Sequence, residues 1–475
     1  MAKILLLSPP YLDLYGELSR AAGRYFPLGL GYIASYLRKY GGHEVSIYEP
    51  EAQGLKHEDI KKIVKNSKAD VIGLTCSTPN FTRAVELAKM CRDNSKARIV
   101  LGGVHATAIP EFIIKNYSDV FDCVVVGEGE ITMLELVDAF KSNSHLKDIK
   151  GIVYKDNNRI VRTEMRPYID DLNSLPFPAR DLIPQNLFVP NSHNARYKNC
   201  ITILTSRGCP FNCSFCAARL VSGVRYRMHS ADYVLEEMEM LKRDYGARQL
   251  LITDDTFTIN HERLIKICEG MIKRKFNLEW FCFSQVNVVN KELLTLMKKA
   301  GCYNIGFGVE SADEEIRKRM GKNIRSSDVI SAVHTANKLG IKTQTFYILG
   351  TPGETKQQME KTIEFAKEVN STLVFFNMLV PYPGTKDFDY YFSETPLEDI
   401  DWRNFVAIGE HCVLSKNTAV EPEEIEKIIS KANLNYYTSP KRLFNVLRNI
   451  GSFYEFSNYC IGGFSFLKQI FKWAG

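Results

Sequence analysis

A chain of 475 residues exceeds what one hydrophobic core usually serves, so two or three domains are expected. With 45% hydrophobic and 24% charged residues the composition is that of a globular protein, and a net charge of +6 is too small to suggest the concentrated basic face that nucleic acid requires. No run of about 18 apolar residues is present, so hydropathy predicts no spanning helix.

From the start, apolar strand-like runs alternate with helical patterns. Lys3 to Ser8 reads as a buried strand ending at Pro9-Pro10, followed by a helix over 29–40 and a strand from Glu44 to Tyr48. Asp70 to Thr75, Arg98 to Leu101 and Cys123 to Val126 read as further strands, with helices near 57–66, 80–94 and 130–141. Continuous hydrophobic strands spaced by amphipathic helices imply a parallel sheet covered on both faces, so residues 1–145 are expected to form a doubly wound, Rossmann-like α/β domain. Ligands bind such sheets beyond the carboxyl ends of the strands. The residues there are Pro9, Pro10, Cys76, Ser77, Thr78, Gly102, Gly103, Val104, His105, Gly127, Glu128 and Gly129. Glycines at strand ends let backbone approach a flat or phosphorylated ligand, and they serve equally well as turn residues.

Residues 146–198 read as a linker. It contains a small hairpin from Gly151 that turns at Asp156 to Asn158, then a crossing punctuated by Pro167, Pro176, Pro178, Pro184 and Pro190. A second alternation begins at Ile201, with strands expected near 201–205, 248–253, 279–284, 304–309, 342–349 and 373–380. Six β/α units over 199–390 make a partial TIM-like barrel, whose functional residues belong at the carboxyl ends of its strands. Residues 391–475 are expected to be mainly helical and to cap the barrel mouth. Their end, Phe464 to Trp473, sets apolar residues at helical spacing with lysines opposite. Such a helix packs on its own protein or lies on a membrane surface, where it would admit a lipid substrate.

The chemistry concentrates in Arg207-Gly-Cys-Pro-Phe-Asn-Cys-Ser-Phe-Cys, where Cys209, Cys213 and Cys216 form a C-x3-C-x2-C run. Three thiolates on one loop can hold three irons of a cubane and leave the fourth open to a substrate or cofactor. Zinc is the competing reading: it needs a closed set of four, no second CxxC is present, and His229 could complete a Cys3His site. The other nine of the 12 cysteines are scattered, several within apolar runs. That pattern, with no signal peptide, suits reduced thiols in the cytoplasm rather than a disulfide framework.

The spacing, Pro210 after the first cysteine and Phe215 before the last resemble the radical S-adenosylmethionine (SAM) superfamily. Leu28-Gly29-Leu30-Gly31-Tyr32, Gly102-Gly103-Val104-His105-Ala106 and Gly127-Glu128-Gly129-Glu130 resemble the cobalamin-binding domain that precedes many radical SAM barrels, as in the class B methyltransferases and the anaerobic magnesium-protoporphyrin ester cyclases. The match runs from about residue 3 to 390. It implies a [4Fe-4S] cluster on Cys209, Cys213 and Cys216, with SAM chelating the open iron and yielding a 5′-deoxyadenosyl radical on reductive cleavage. It also implies SAM contacts at Phe215, Asp254, Asp255, Ser284, Glu310 and Gly350: a carboxylate at 254 or 255 for the ammonium, Glu310 for the ribose, and backbone near Gly350 for adenine. Cobalamin contacts would fall at Pro10, Ser77, Thr78, Gly102, Gly103, Val104, His105, Gly127, Glu128 and Gly129.

The D-x-H-x-x-G motif of mutase-type cobalamin domains is absent, since the first histidine is His43. His105 lacks the flanking Asp and Gly and reads as a loop residue, so cobalt is expected to have no protein histidine ligand. The resemblance favours methyl transfer, with oxidative cyclisation or lipid-chain coupling as alternatives on a tetrapyrrole or lipid substrate. It also implies a one-electron donor such as flavodoxin or ferredoxin. A non-catalytic corrinoid or SAM sensor is the reading from another class, and a loop built to leave an iron open argues against it.

Overall fold

Five short hydrophobic runs, β1 (Lys3–Leu7), β2 (Glu44–Tyr48), β3 (Val71–Thr75), β4 (Arg98–Gly102) and β5 (Cys123–Val125), pair in parallel in the order β2-β1-β3-β4-β5. This arrangement comes from a computed structural model describing residues 1–20, 22–191, 193–406, 413–414 and 419–474, of which 17, 20, 441, 445 and 465–474 are described by backbone alone. The chain winds outward from β1 to β2, then crosses back to β3, so the switch point lies between β1 and β3. Leu5, Leu7, Ile72 and Leu101 are fully buried, as a sheet covered on both faces requires. The expected strands and helices of this region are present within one or two residues.

The hairpin is placed differently from its reading as linker. β6 (Ile152–Asp156) and β7 (Arg159–Arg162) extend the same sheet to seven strands, β6 running antiparallel to β5 with Val153 opposite Val124. Asn157 and Asn158 both take positive φ, 43° and 71°, the left-handed pair that a two-residue hairpin turn needs. Ile152 and Val153 are buried against β5, so pairing at that edge outweighs the polar, proline-rich sequence around them.

The second sheet consists of β8 (Cys200–Ile203), β11 (Gln249–Ile252), β12 (Glu279–Ser284), β13 (Cys302–Glu310), β14 (Lys342–Leu349) and β15 (Leu373–Met378). All six are parallel, in the order β15-β14-β13-β12-β11-β8, the open arc of a partial barrel. Ser230, Asn260, Asn290 and Thr355 cap the intervening helices through their side-chain oxygens. A two-residue clasp, β9 (Ser206–Arg207) against β10 (Arg227–Met228), brackets the three-cysteine loop.

Helices Pro422–Thr438, Pro440–Arg448 and Phe453–Ala474 close the chain. The first lies along β15, where the Tyr437 hydroxyl donates to the Val374 carbonyl and accepts from its N–H. The last packs against the 3₁₀ segment Leu12–Arg20, joining the two ends of the chain. Among the described residues no helix is long and apolar enough to cross a membrane. The side chains of 465–473, on which the amphipathic reading of the C-terminus partly rests, lie outside the described residues.

Arg180 and Glu237 form a fully buried pair at 3.4 Å, with the guanidinium also donating to the Thr202 carbonyl and lying over Phe26. Glu237→Leu removes only one of the two buried charges and should destabilise the fold by about 3–5 kcal/mol. Arg180→Met combined with Glu237→Leu should recover most of that loss, read by urea unfolding.

Glu354 in the loop after β14 accepts from the N–H groups of Gly350 and Thr351, yet burial pushes its carboxyl from 4.5 up to about 7. The fold therefore holds the proton more tightly than the unfolded chain does. Its contribution to stability is present below pH 4.5 and is lost as pH rises to about 7. Glu354→Gln should flatten that decline, gaining on the parent protein at pH 8 and not at pH 4 when unfolding midpoints are compared.

Candidate functional site

The cysteine loop is positioned by charges from the other sheet. Arg207, two residues before Cys209, donates to Glu128 at 2.9 Å and Glu130 at 2.6 Å, while Arg227 on the facing strand of the clasp donates to Glu128 at 3.0 Å and to the Ile169 carbonyl. All four side chains are buried. Burial works against the Arg207 charge, but Glu130 and then Glu128 outweigh it. Between the arginines, Gly208 has φ +84°, and a Cβ there would sit 2.2 Å from the Arg225 carbonyl oxygen, so only glycine allows the clasp to close. The loop is also stapled from behind: the Ser214 N–H donates to the Met320 carbonyl at 2.9 Å.

Cys209, Cys213 and Cys216 are partly exposed free thiols on this loop. Burial raises all three, Cys213 to about 11, so they become thiolates only against a positive charge such as iron. Zinc fits poorly. His229 lies stacked against Tyr233 with ring centroids 4.0 Å apart, and among the described residues no three His, Cys, Asp or Glu side chains converge on one ion. Thiolates that each hold a different iron of a cluster stand further apart than ligands of a single ion, and a loop with three cysteines suits that wider arrangement.

The strand ends around the loop sort the expected SAM residues. Asp254 is fully buried: one oxygen accepts from the Thr205 N–H at 2.6 Å, and the other from the Thr205 and Ser206 hydroxyls. It braces the start of the clasp and is not available to an ammonium. Asp255 is exposed, and its carboxyl is raised first by partial desolvation and then by Asp254. Ser284 is spent on a 2.6 Å bond with the Thr258 hydroxyl. Gly350 is spent too, its N–H on Glu354 and its carbonyl on the Tyr391 hydroxyl. Phe215 packs partly buried against the barrel core.

Glu310 ends β13 with φ +69°, an unusual backbone for a residue other than glycine, at a bulge in the pairing with β14. It forms a buried ion pair with Lys322 at 3.1 Å. A Cβ at Gly308 would fall 2.3 Å from the Glu310 carboxylate and 2.9 Å from the Lys322 nitrogen, so the pair depends on that glycine. Burial opposes the lysine's charge, while Glu310 and then Cys213 hold it above its ordinary range. Lys322 is thus a buried cation that interacts electrostatically with Cys213 and Cys209, and sequence reasoning missed it, along with the roles of Arg207 and Arg227. Only the R-G-C pattern itself hinted at Arg207.

A cavity of about 1200 Å³ opens at the switch point of the first sheet. Its wall includes Ser8, Thr75, Cys76, Ser77 and Val104 at the ends of β1, β3 and β4, together with Phe375 on β15 and Tyr437 on the C-terminal helix. Of the expected corrinoid contacts, Ser77 and Val104 line it. Pro10, Thr78, Gly102 and Gly127 lie on neighbouring strand ends outside its wall. Gly103 is explained by the chain, since a Cβ there would meet the Cys76 carbonyl at 2.4 Å. Gly129 is likewise occupied, facing Ile33. Glu128 belongs to the arginine clasp instead of a ligand surface.

His105 is no loop residue: it sits in the short helix Val104–Ala108, fully buried between Phe81 and Trp402 and 3.3 Å from the Thr78 hydroxyl. Burial lowers its pKa to about 3, so it is neutral. A roomy, mainly apolar crevice at a doubly wound switch point suits a large ligand such as a corrin ring.

The radical SAM superfamily model matches residues 203–366, and the B12 binding domain model matches residues 18–137. An uncharacterized methyltransferase of Pyrococcus horikoshii is 36% identical over 442 residues, covering 93% of this chain and 94% of that protein. The anaerobic magnesium-protoporphyrin IX monomethyl ester cyclase of Rubrivivax gelatinosus is 26% identical, over 85% of this chain and 72% of its own. The radical SAM methyltransferase TsrM of Kitasatospora setae, solved with cobalamin and a [4Fe-4S] cluster, superposes with a TM-score of 0.73 over 98% of this chain and 99% of that one, at 17% identity, and shares the fold. With 36% identity running nearly end to end and both family domains in the order of the two sheets, the chain belongs to the radical SAM enzymes that carry a B12-binding domain, whose cofactors are SAM, a [4Fe-4S] cluster and cobalamin.

Proposed function

We propose that the protein is a methyltransferase that moves a methyl group from SAM, by way of cobalamin, to an unactivated carbon of a small molecule. The observation that carries this reading is the cavity whose wall is shared by the switch point of the first sheet, the last barrel strand and the C-terminal helices. A methyl carrier seated at the strand ends and a substrate held by the barrel and cap would then face each other inside one enclosure. When bound, the cluster and SAM supply a 5′-deoxyadenosyl radical by one-electron cleavage, and the corrinoid supplies the methyl group.

The chain's own residues have distinct tasks in this reading. Cys209, Cys213 and Cys216 would hold three irons. Asp255 offers a carboxylate to the SAM ammonium, since Asp254 is occupied. Lys322 offers a positive charge to the SAM carboxylate, and Glu310 offers an acceptor to the ribose. His193 lines the cavity near Phe375 and is kept neutral, its pKa lowered to about 4 by burial. The largely apolar wall would exclude water from a radical. A small redox protein of the flavodoxin or ferredoxin class would deliver the electron, and the reducing cytoplasm suits a chain whose eleven described cysteines are all free.

Anaerobically reconstituted protein given cobalamin, a reductant and methyl-labelled SAM should place label on cobalamin. If 5′-deoxyadenosine forms while cobalamin stays unlabelled, methyl transfer is the wrong reaction. Lys322→Met should keep its iron but bind SAM about tenfold more weakly, the order expected for one lost charge-assisted bond. Lys322→Arg should restore part of that affinity in equilibrium dialysis.

A further inference from the structure

The part of the cavity wall that belongs to the barrel and cap carries polar side chains with no partner. Asn433, on the helix Pro422–Thr438, is 7% exposed and lines the cavity, and its amide makes no hydrogen bond among the described residues. Asn377 on β15 and His193 line the same cavity, and their side chains make none either. Burying an amide without a partner costs stability, and Asn is a poor helix former. Ile429, one turn earlier on the same face of the helix, shows that an apolar residue suits this wall. The fold gives no reason for an asparagine at 433, and a broken local rule of this kind points to a ligand.

The helix's anchors bring these groups to one place. Tyr436 donates to the Ser371 carbonyl and Tyr437 to that of Val374, whereas Ile425 near the other end lies against Gly350, just past β14. The helix thus runs antiparallel to β15. From Tyr437 back to Asn433 it rises about 6 Å, close to the span of about two strand residues, which sets Asn433 abreast of Phe376. Asn377 is the next residue of the strand, and the His193 ring centroid lies 4.8 Å from that of Phe375, the residue before.

All three groups are neutral. An amide offers both a donor and an acceptor, and so does an imidazole that burial holds uncharged, its pKa lowered to about 4. No described residue of the wall is Lys or Arg. Of its two carboxylates, Glu49 beyond β2 is pushed up by burial to about 7. The other, Glu426, lies about 10 Å along the helix from Asn433. A charged head beside Asn433 would lack a countercharge, whereas an uncharged group that donates and accepts would satisfy the amides. Phe375, Tyr437 and Tyr459 in the same wall suit an apolar body.

We propose that the substrate is an uncharged, largely apolar molecule carrying a carboxamide or hydroxyl, and that Asn433, Asn377 and His193 bind that group. Naming the occupant as substrate rests on the methyl-transfer reading; recognition of an uncharged head by these three side chains does not.

The test uses the full-length protein, reconstituted with cluster and cobalamin, in anaerobic equilibrium dialysis against octanamide, 1-octanol, octanoate and octylamine, which share a chain and differ in their heads. Octanamide and 1-octanol are expected to bind at least about tenfold more tightly than octanoate or octylamine. Asn433→Leu and, separately, Asn377→Leu should each weaken octanamide binding about threefold to tenfold, the loss of one hydrogen bond. Neither should alter hydroxocobalamin binding. Asn433→Leu should also unfold at the same or a higher urea concentration than the parent protein, since it removes an unpartnered amide. Tighter binding of octanoate or octylamine, no saturable binding of octanamide, or unchanged octanamide binding by both variants overturns the proposal. So does a loss of hydroxocobalamin binding with octanamide unaffected, which would give the amides to the corrinoid's own carboxamide arms. The expected selectivity without label reaching cobalamin would leave the binding assignment standing and count against the proposed reaction.

Discussion

The buried cluster of Glu128, Glu130, Arg207 and Arg227 is the interaction on which the placement of everything else turns. Two carboxylates from the first sheet meet two guanidiniums from the clasp around the cysteine loop, and the backbone N–H of Ile169 completes the set on Glu128. Charges so far from water are tolerable only when each has its partners, and losing one partner costs about 3–5 kcal/mol. Hydrophobic contact between the two sheets could slide by a residue or two at little cost. This cluster cannot, so the relation of the cysteine loop to the first sheet is fixed by geometry as well as by packing.

A second constraint lies on the far side of the loop. Glu310 is held in left-handed backbone, and Gly308 leaves room for it to meet Lys322. Strain of this kind persists only where surrounding structure over-determines it, and it gathers at functional sites. The loop holding the cysteines is thus gripped on one side by arginines bound to the first sheet and faced on the other by a lysine bound to a barrel strand. Each of these cations is paired with a carboxylate and so fixes the loop in place, and Lys322 also acts electrostatically on Cys213 and Cys209.

Much of the architecture was legible in the sequence because continuous apolar strands and capped helices carry strong local signals. The strands at 279–284 and 342–349 read at their observed bounds. The site was legible only where chemistry is written in spacing, as in the three cysteines. Asp254 and Asp255 are neighbours in one turn, and nothing local tells which one folds inward under Thr205. Glu128 follows a glycine at a strand end, where a ligand contact is the natural reading; its arginines lie about 80 and 100 residues away and meet it only in the folded chain. Lys322 lies in a basic stretch, and its partner Glu310 sits at a bulge that no periodicity announces. His105 was misread because a one-turn helix buried under Phe81 and Trp402 has too few residues to show a period.

The hairpin β6–β7 bears on where this protein can be divided. Hydrophobic periodicity pauses near residue 145, and a fragment cut there would retain every parallel strand of the first sheet. It would also leave β5 as a bare edge, its unpaired amides ready to recruit another chain. Pairing with β6 covers that edge, so the hydrogen-bonded border of the first sheet lies beyond the pause, at β7 (Arg159–Arg162).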